Sequence, residues 1–196
     1  MVGNISNYTR YDVIRCFLAI KDNPSRQSLT KKLEIGEGTI RTILDKLKEK
    51  GLIESRYQGH IFTEKGKMKY KSISDVIEIK NNVRIDVYKE KKLKNTAILL
   101  KTKNKIKFDI FQRDVAIKNG ADSCLIFDYQ KGKLNLPLLK MDVGFDSLKK
   151  EFDMNENNIL IVTFSKENRW TEIAALAVAE ELLREEKINL FKDIIL

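Results

Sequence analysis

Between Gly36 and Ile53 the chain reads GEGTIRTILDKLKEKGLI. Ile40, Ile43, Leu44 and Leu47 recur at i, i+3, i+4 and i+7, the spacing that lines one stripe of an α-helix with apolar side chains. Gly51 is the residue type that accepts the left-handed turn closing such a helix. The stripe must face a core, which leaves Glu37, Gly38, Arg41, Thr42, Asp45, Lys46, Lys48 and Glu49 off it. A helix this short is marginal on its own, so the neighbouring segments decide what covers the stripe.

Upstream, residues 11–21 repeat the helical spacing with Val13, Ile14, Phe17 and Leu18, and Asn23-Pro24 ends that helix. Ser25 caps a second short helix whose Leu29 and Leu33 point inward, and Glu34-Ile35-Gly36 turns the chain into the third, with Gly36 at its N-cap. Downstream the period changes. Residues 52–56 and 60–62 are β-prone runs flanking Tyr57-Gln58-Gly59, a hairpin signal, and Thr63 caps a fourth helix. Three helices, a hairpin and a helix in this order predict a winged helix-turn-helix over residues 7–75.

In a helix-turn-helix the second helix of the pair enters the major groove, which at ~12 Å admits one helix. The third helix would present Glu37, Gly38, Thr39, Arg41 and Thr42 at its leading end. Gly38 permits close backbone approach, Arg41 can donate two hydrogen bonds to guanine, and Thr42 can reach a base edge or a thymine methyl. Arg26, Lys31, Lys32 and Lys46 are placed to neutralise phosphates, which sets register without reading sequence. In the hairpin, Arg56, Tyr57, Gln58 and His60 could touch backbone or minor groove. Plainer readings exist for each set: a solvated face for Lys46, Lys48 and Lys50, an Arg41–Asp45 pair four residues apart, and an ordinary hairpin position for His60.

The net charge of +9 sharpens this. Residues 1–75 hold 15 Lys/Arg against 9 Asp/Glu, residues 76–107 hold 10 against 3, and residues 108–196 hold 12 against 16. The basic excess lies wholly in the first half, as expected of a polyanion binder joined to a separate control or assembly module.

The segment SRQSLTKKLEIGEGTIRTILDKLKEKGLIESRYQGHIFTEKG resembles the winged-helix domains of bacterial and archaeal transcription regulators. The resemblance rests on Gly36, Thr39-Ile40, Arg41-Thr42 and Gly51-Leu52-Ile53, with Gly36 standing where Ser is commoner. The second half, through QRDVAIKNGADSCLIFDYQKGKLNLP, resembles a small archaeal family that joins such a winged helix to a C-terminal domain of unassigned role. Arg113-Asp114, Ala116-Ile117, Gly120-Ala121, Gly132-Lys133-Leu134 and Pro137 carry that likeness. It implies a transcriptional regulator and supplies no ligand.

Residues 76–196 form the second expected domain, after a boundary near 76. A strand is expected at 97–101, and a helix capped by Asp109 and closed by Gly120. Strands follow at 123–129 and 133–136, then a short helix at 146–153. The run NILIVTF at 158–164 predicts a strand buried on both faces, and a long helix spans about 170–186. The overall class is α+β: a winged helix-turn-helix followed by a small α/β sandwich whose mixed sheet is covered mainly on one face. A small anionic effector could be held by Arg113, Asp114 and Lys118 with Asn168, Arg169 and Trp170; a structural cap or ion pair explains Arg113 and Asp114 equally well. The apolar residues of the last helix, Ile173 to Leu183, cover more than one stripe. That width points to burial by the sheet and by the C-terminal INLFKDIIL or a second subunit, so a homodimer on two-fold DNA is expected.

Catalytic signatures are missing: no GxxxxGK[ST], GxGxxG after a strand, HExxH or Cys/His cluster occurs, and there is one histidine. The chain is therefore read as a binder without cofactor or metal rather than an enzyme. A protein-interaction module and a regulator fused to a metabolic enzyme are the alternatives. Cys16 and Cys124 sit alone in apolar stretches, as reduced buried thiols do. No run approaches the ~18 apolar residues of a membrane span, and no signal peptide is recognisable. A cytoplasmic protein is expected.

Overall fold

Thr9 starts the first helix. Its hydroxyl accepts from the Asp12 N–H at 3.2 Å while the Asp12 carboxylate accepts from the Thr9 N–H at 2.9 Å, a reciprocal cap. From there α1 (Arg10–Ala19) runs into one 3-10 turn, Ile20–Asp22, that ends on Asn23 at φ 49°. The computed structural model describes residues 8–57, 59–85, 92–138 and 145–195.

Ser25 caps α2 (Arg26–Leu33) by accepting from the Ser28 N–H at 3.1 Å. The buried Arg15 guanidinium satisfies the end of that helix by donating to the Leu33 carbonyl at 3.1 Å and to Asp12 at 3.0 Å. Gly36 precedes α3 (Glu37–Glu49) with no side-chain cap, and Gly51 at φ 67° follows it. Strands β1 (Ile53–Arg56) and β2 (Gly59–Phe62) then pair antiparallel, Ile53 against Phe62. Thr63 accepts from the Gly66 N–H at 3.1 Å and donates to the Gly51 carbonyl at 2.6 Å, fixing the start of α4 (Glu64–Ser74).

Ile14, Phe17, Leu29, Ile40, Ile43 and Leu47 are fully buried between these helices. The Phe62 ring, 5.0 Å from Phe17 and 5.2 Å from Tyr70, ties the hairpin to α1 and α4. The segment from Phe191, read in the sequence as part of the second domain, groups with this first unit, which otherwise ends at Ile73. Phe191 and Ile194 are buried, α8 (Lys192–Ile195) packs on α1, and Asp193 pairs with Lys69 at 2.8 Å.

The second unit, Ser74–Leu190, holds β3 (Ile77–Asn81), β4 (Lys94–Leu100), α5 (Ile110–Lys118), β5 (Ser123–Gln130), β6 (Lys133–Asn135), α6 (Asp146–Lys149), β7 (Ile159–Ser165) and α7 (Asn168–Glu185). Its strands lie in the order β3-β4-β7-β5-β6, and every neighbouring pair is antiparallel. The expectation of a mixed sheet is corrected here for a specific reason. The β4-α5-β5 crossover does make β4 and β5 run the same way, but it leaves a gap one strand wide. The late strand β7 fills that gap in the opposite direction, so no two parallel strands touch.

One face of the sheet carries α7 over β4 and β7, with α5 against α7 and β5. Thr171 anchors it: its hydroxyl lies 2.7 Å from that of Thr96, and its carbonyl accepts from Thr163 at 2.7 Å. Coverage is not confined to that face, contrary to expectation. Ala97, Leu99, Leu125, Phe127, Leu160, Val162 and Phe164 alternate onto the opposite side, where Val83, Ile85, Leu136, Phe145, Leu148 and Phe152 bury them. Sheet and α5 together account for the wide apolar surface of α7, so that surface no longer argues for a second subunit.

Candidate nucleic-acid interface

Burial of Ile40, Ile43, Leu44 and Leu47 fixes the roll of α3 and leaves it two exposed flanks. Glu37, Arg41, Asp45 and Lys48 form one, spaced by four, four and three residues; Gly38, Thr42, Lys46 and Glu49 form the other. The first flank, with the edge of Leu44, walls an open groove of about 700 Å³. Ser25, Arg26 and Gln27 at the start of α2, and Ser55 and His60 on the hairpin, complete it. A shallower dish of about 530 Å³ continues along α2 past Ser25, Gln27, Ser28, Lys31 and Lys32.

The hairpin holds its side of the groove by backbone contact. Gly59 sits at φ +151°, and a Cβ there would lie 2.5 Å from the Asn23 carbonyl oxygen and 2.7 Å from that of Pro24. The next residue, His60, donates its N–H to the Pro24 carbonyl at 3.1 Å. Only glycine allows this approach, so β2 is docked on the α1–α2 connection and His60 is aimed beside Ser55, 3.3 Å from its hydroxyl through Nδ1. Burial first, then the charges of Lys48 and Arg26, lower the His60 pKa below 6.5, with Asp45 opposing. In the free protein the imidazole is neutral at neutral pH.

The predicted cations differ in how free they are. Arg26 pairs with Glu37 at 2.8 Å, Lys32 with Asp22 at 2.7 Å, and Arg56 with Glu54 at 2.5 Å. Asp45 pairs with Lys48 at 3.3 Å and not with Arg41. Among the described residues Arg41, Lys31 and Lys46 have no ion pair; all three are exposed, and Lys46 lies 5.3 Å from the Tyr8 ring centroid. Thr42 spends its hydroxyl proton on the Gly38 carbonyl at 3.2 Å, which leaves its oxygen to accept, and Thr39 is half-buried. Tyr57 is fully exposed at the hairpin tip, while Gln58 lies outside the described residues.

The structure therefore brings Arg26, Glu37, Arg41 and His60 together, and sets Lys46 with Gly38 and Thr42 on the other flank. Sequence reasoning missed Ser25, Gln27, Lys48 and Ser55 as groove residues. Lys48 carries a usable signal, seven positions beyond Arg41 on the same flank; Ser55 and Gln27 carry none, since only the docking of the hairpin on Pro24 brings their strands and helices to one groove.

In the second unit three of the six effector candidates lie on α5 and three at the start of α7. Trp170 closes the start of α7 against the end of α5, where a Cβ on Gly120 would lie 2.8 Å from the indole, and the Arg169 guanidinium stacks 5.0 Å from the same ring. Asn168 heads α7 beside them, and Arg113 is half-buried near Cys124, whose thiol burial pushes up to about 12. Asp114 and Lys118 are exposed on α5. Among the described residues no group of three His, Cys, Asp or Glu could hold a metal ion, and no helix is long and apolar enough to cross a membrane.

This arrangement has relatives. Residues 9–68 match the family model of the PH0730-like N-terminal domain. Residues 91–182 match DUF4443, a domain of unknown function. A solved structure, the hypothetical protein PH0730 from Pyrococcus horikoshii OT3, aligns with a TM-score of 0.77 at 26% identity, covering 96% of this chain and 100% of that one. No curated protein matches. The archaeal likeness seen in the residues thus extends over both units, and the groove on α3 falls within the matched N-terminal domain.

Proposed function

We propose that the first unit is a winged helix-turn-helix that binds duplex DNA at specific sites, and that the chain is a transcriptional regulator. In this reading α3 lies in the major groove, and the second unit pairs two copies and answers to a small anion. One observation carries the proposal: Arg41 is an exposed, unpaired guanidinium on the leading half of α3, in a groove that also holds Arg26, Lys48 and His60. A bidentate arginine at that place suits guanine O6 and N7, and Lys31 on α2 and Lys46 on the other flank of α3, both exposed and without an ion pair among the described residues, suit phosphates. The excess of 15 Lys/Arg over 9 Asp/Glu in residues 1–75 supports a polyanion partner over a neutral protein surface.

The test is selection from a randomised duplex library. Arg41→Ala should relax base preference at one position, at a cost on the order of 1–3 kcal/mol, whereas Lys46→Ala should weaken all sequences alike. Indistinguishable selections from the two variants would sink the assignment of reading and positioning roles.

A further inference from the structure

We propose that two copies of this chain join through strand β3, antiparallel and centred on Ile79, so that their sheets become one. The inference deepens the two-copy part of the reading above and is independent of whether DNA is bound.

The backbone supplies the first argument. Among the described residues, strand β3 is an edge of its sheet, paired with β4 alone. The Val76 carbonyl accepts from the Lys101 N–H and the Asn82 N–H donates to the Asn95 carbonyl, each at 2.8 Å. Even-numbered positions therefore turn their polar groups toward β4, and the alternation of an antiparallel ladder turns those of Ile77, Ile79 and Asn81 outward. An edge of this kind is a template for another strand.

The side chains supply the second. An added antiparallel strand must place outward residues opposite outward residues, so a two-fold pairing can slip only in steps of two. Centred on Ile79, all five residues overlap, Ile77 faces Asn81 of the second copy, and Glu78 faces Lys80 of the second copy twice over by symmetry. Slipping one step sets Glu78 against Glu78; slipping the other way sets Lys80 against Lys80. Only the centred register joins opposite charges, and the facing pairs are the non-hydrogen-bonded ones whose side chains approach most closely. Lysine on an edge strand ordinarily discourages pairing. Here Glu78, 3.3 Å from Lys80 within one copy, reverses that effect when the strand meets itself. Within one copy the Lys80 Nζ also donates to the Glu151 carbonyl and lies 4.7 Å from the Phe152 ring centroid, and Glu78 lies 3.7 Å from Lys101; with both side chains about one-third exposed, pairing across the two-fold exchanges these contacts for the partner's charges.

Charge exchange tests this directly, read by analytical ultracentrifugation of the full chain across micromolar concentrations. Glu78→Lys and Lys80→Glu should each weaken the dimer on the order of tenfold or more. The double exchange should restore it, and mixing the two single variants should produce heterodimers, because each then offers what the other lacks. Should charge reversal unfold the chain, Ile79→Pro serves instead: the N–H it removes points away from β4, and the dimer should be lost while the melting curve stays close to wild type. Wild-type protein that stays monomeric throughout would end the two-copy reading altogether. A dimer insensitive to all four variants would overturn the β3 proposal alone and move the interface elsewhere, the exposed Ile110, Phe111 and Ile117 of α5 being the next surface to probe.

Discussion

Glu37 pairs with Arg26, and if the groove takes duplex DNA as proposed, releasing Arg26 has a calculable effect on that binding. The two side chains are 40% and 64% exposed at 2.8 Å, so solvent screening limits their pairing to less than about 1 kcal/mol of stability. Glu37 also opens α3, where a negative charge contributes roughly 0.3–1 kcal/mol against the helix dipole. Glu37→Gln should therefore leave the protein folded, with a melting point lowered by a few degrees at most. Its effect on duplex binding is larger. The substitution removes one carboxylate from the groove and frees one guanidinium for phosphate, raising the number of neutralised phosphates by one. The slope of log K against log salt should steepen by about 0.9. Over a roughly fivefold rise in salt the variant then loses about four times more affinity than wild type, having started tighter. Fluorescence anisotropy on one duplex at several salt concentrations gives the slope. An unchanged slope would mean that Arg26 never meets phosphate; weaker binding confined to one base position would mean that Glu37 itself reads a base.

Two further outcomes concern the stability of the first unit. Gly59→Ala should cost about 2–4 kcal/mol, the sum of a strained backbone and the lost His60–Pro24 hydrogen bond, whereas Gly51→Ala, at φ +67° with nothing within 4 Å of the new Cβ, should cost about 1–2 kcal/mol; equal melting points for the two would refute the docking argument. Acid should act in two stages. Because the folded His60 pKa lies below the unfolded 6.5, the unfolded chain takes its proton first, and stability falls as pH drops below 6.5. Asp22 and Asp193 are held below 3.8 by hydrogen bonds from Lys32 and Lys69, so their contribution is present above 3.8 and lost below it. His60→Gln should abolish the first stage, and saturating duplex should reverse it, since phosphate favours the protonated ring; calorimetric melts with and without DNA decide both.

Local signals carried much of this fold. Ser25, Asp109, Gly51 and Gly120 each stand where a helix begins or ends, because caps depend on residues within one turn. The apolar runs at 123–129 and 158–164 placed β5 and β7 within one residue at each end. The relations among distant segments were not legible. Nothing in NILIVTF states that it will slip between β4 and β5, because a strand buried on both faces fits any central position. Nothing in INLFKDIIL chooses between α7 and α1. In the groove, spacing along α3 separated Arg41 from the core, but the Arg26–Glu37 pair joins two helices and depends on the angle between them. A helical repeat does not encode that angle.

The placement of β7 has a consequence for how the molecule is made. Its neighbours β4 and β5 are synthesised tens of residues earlier and cannot hydrogen-bond to each other across the space β7 will occupy. Until residues 159–165 leave the ribosome, both carry open edges that invite pairing with other nascent chains. The plug formed by Phe191 and Ile194 arrives later still, so the first unit also waits on α8 to complete its core. Maturation thus waits on β7 and α8, and a product stalled before them would present its adhesive surfaces just when no partner segment exists to cover them.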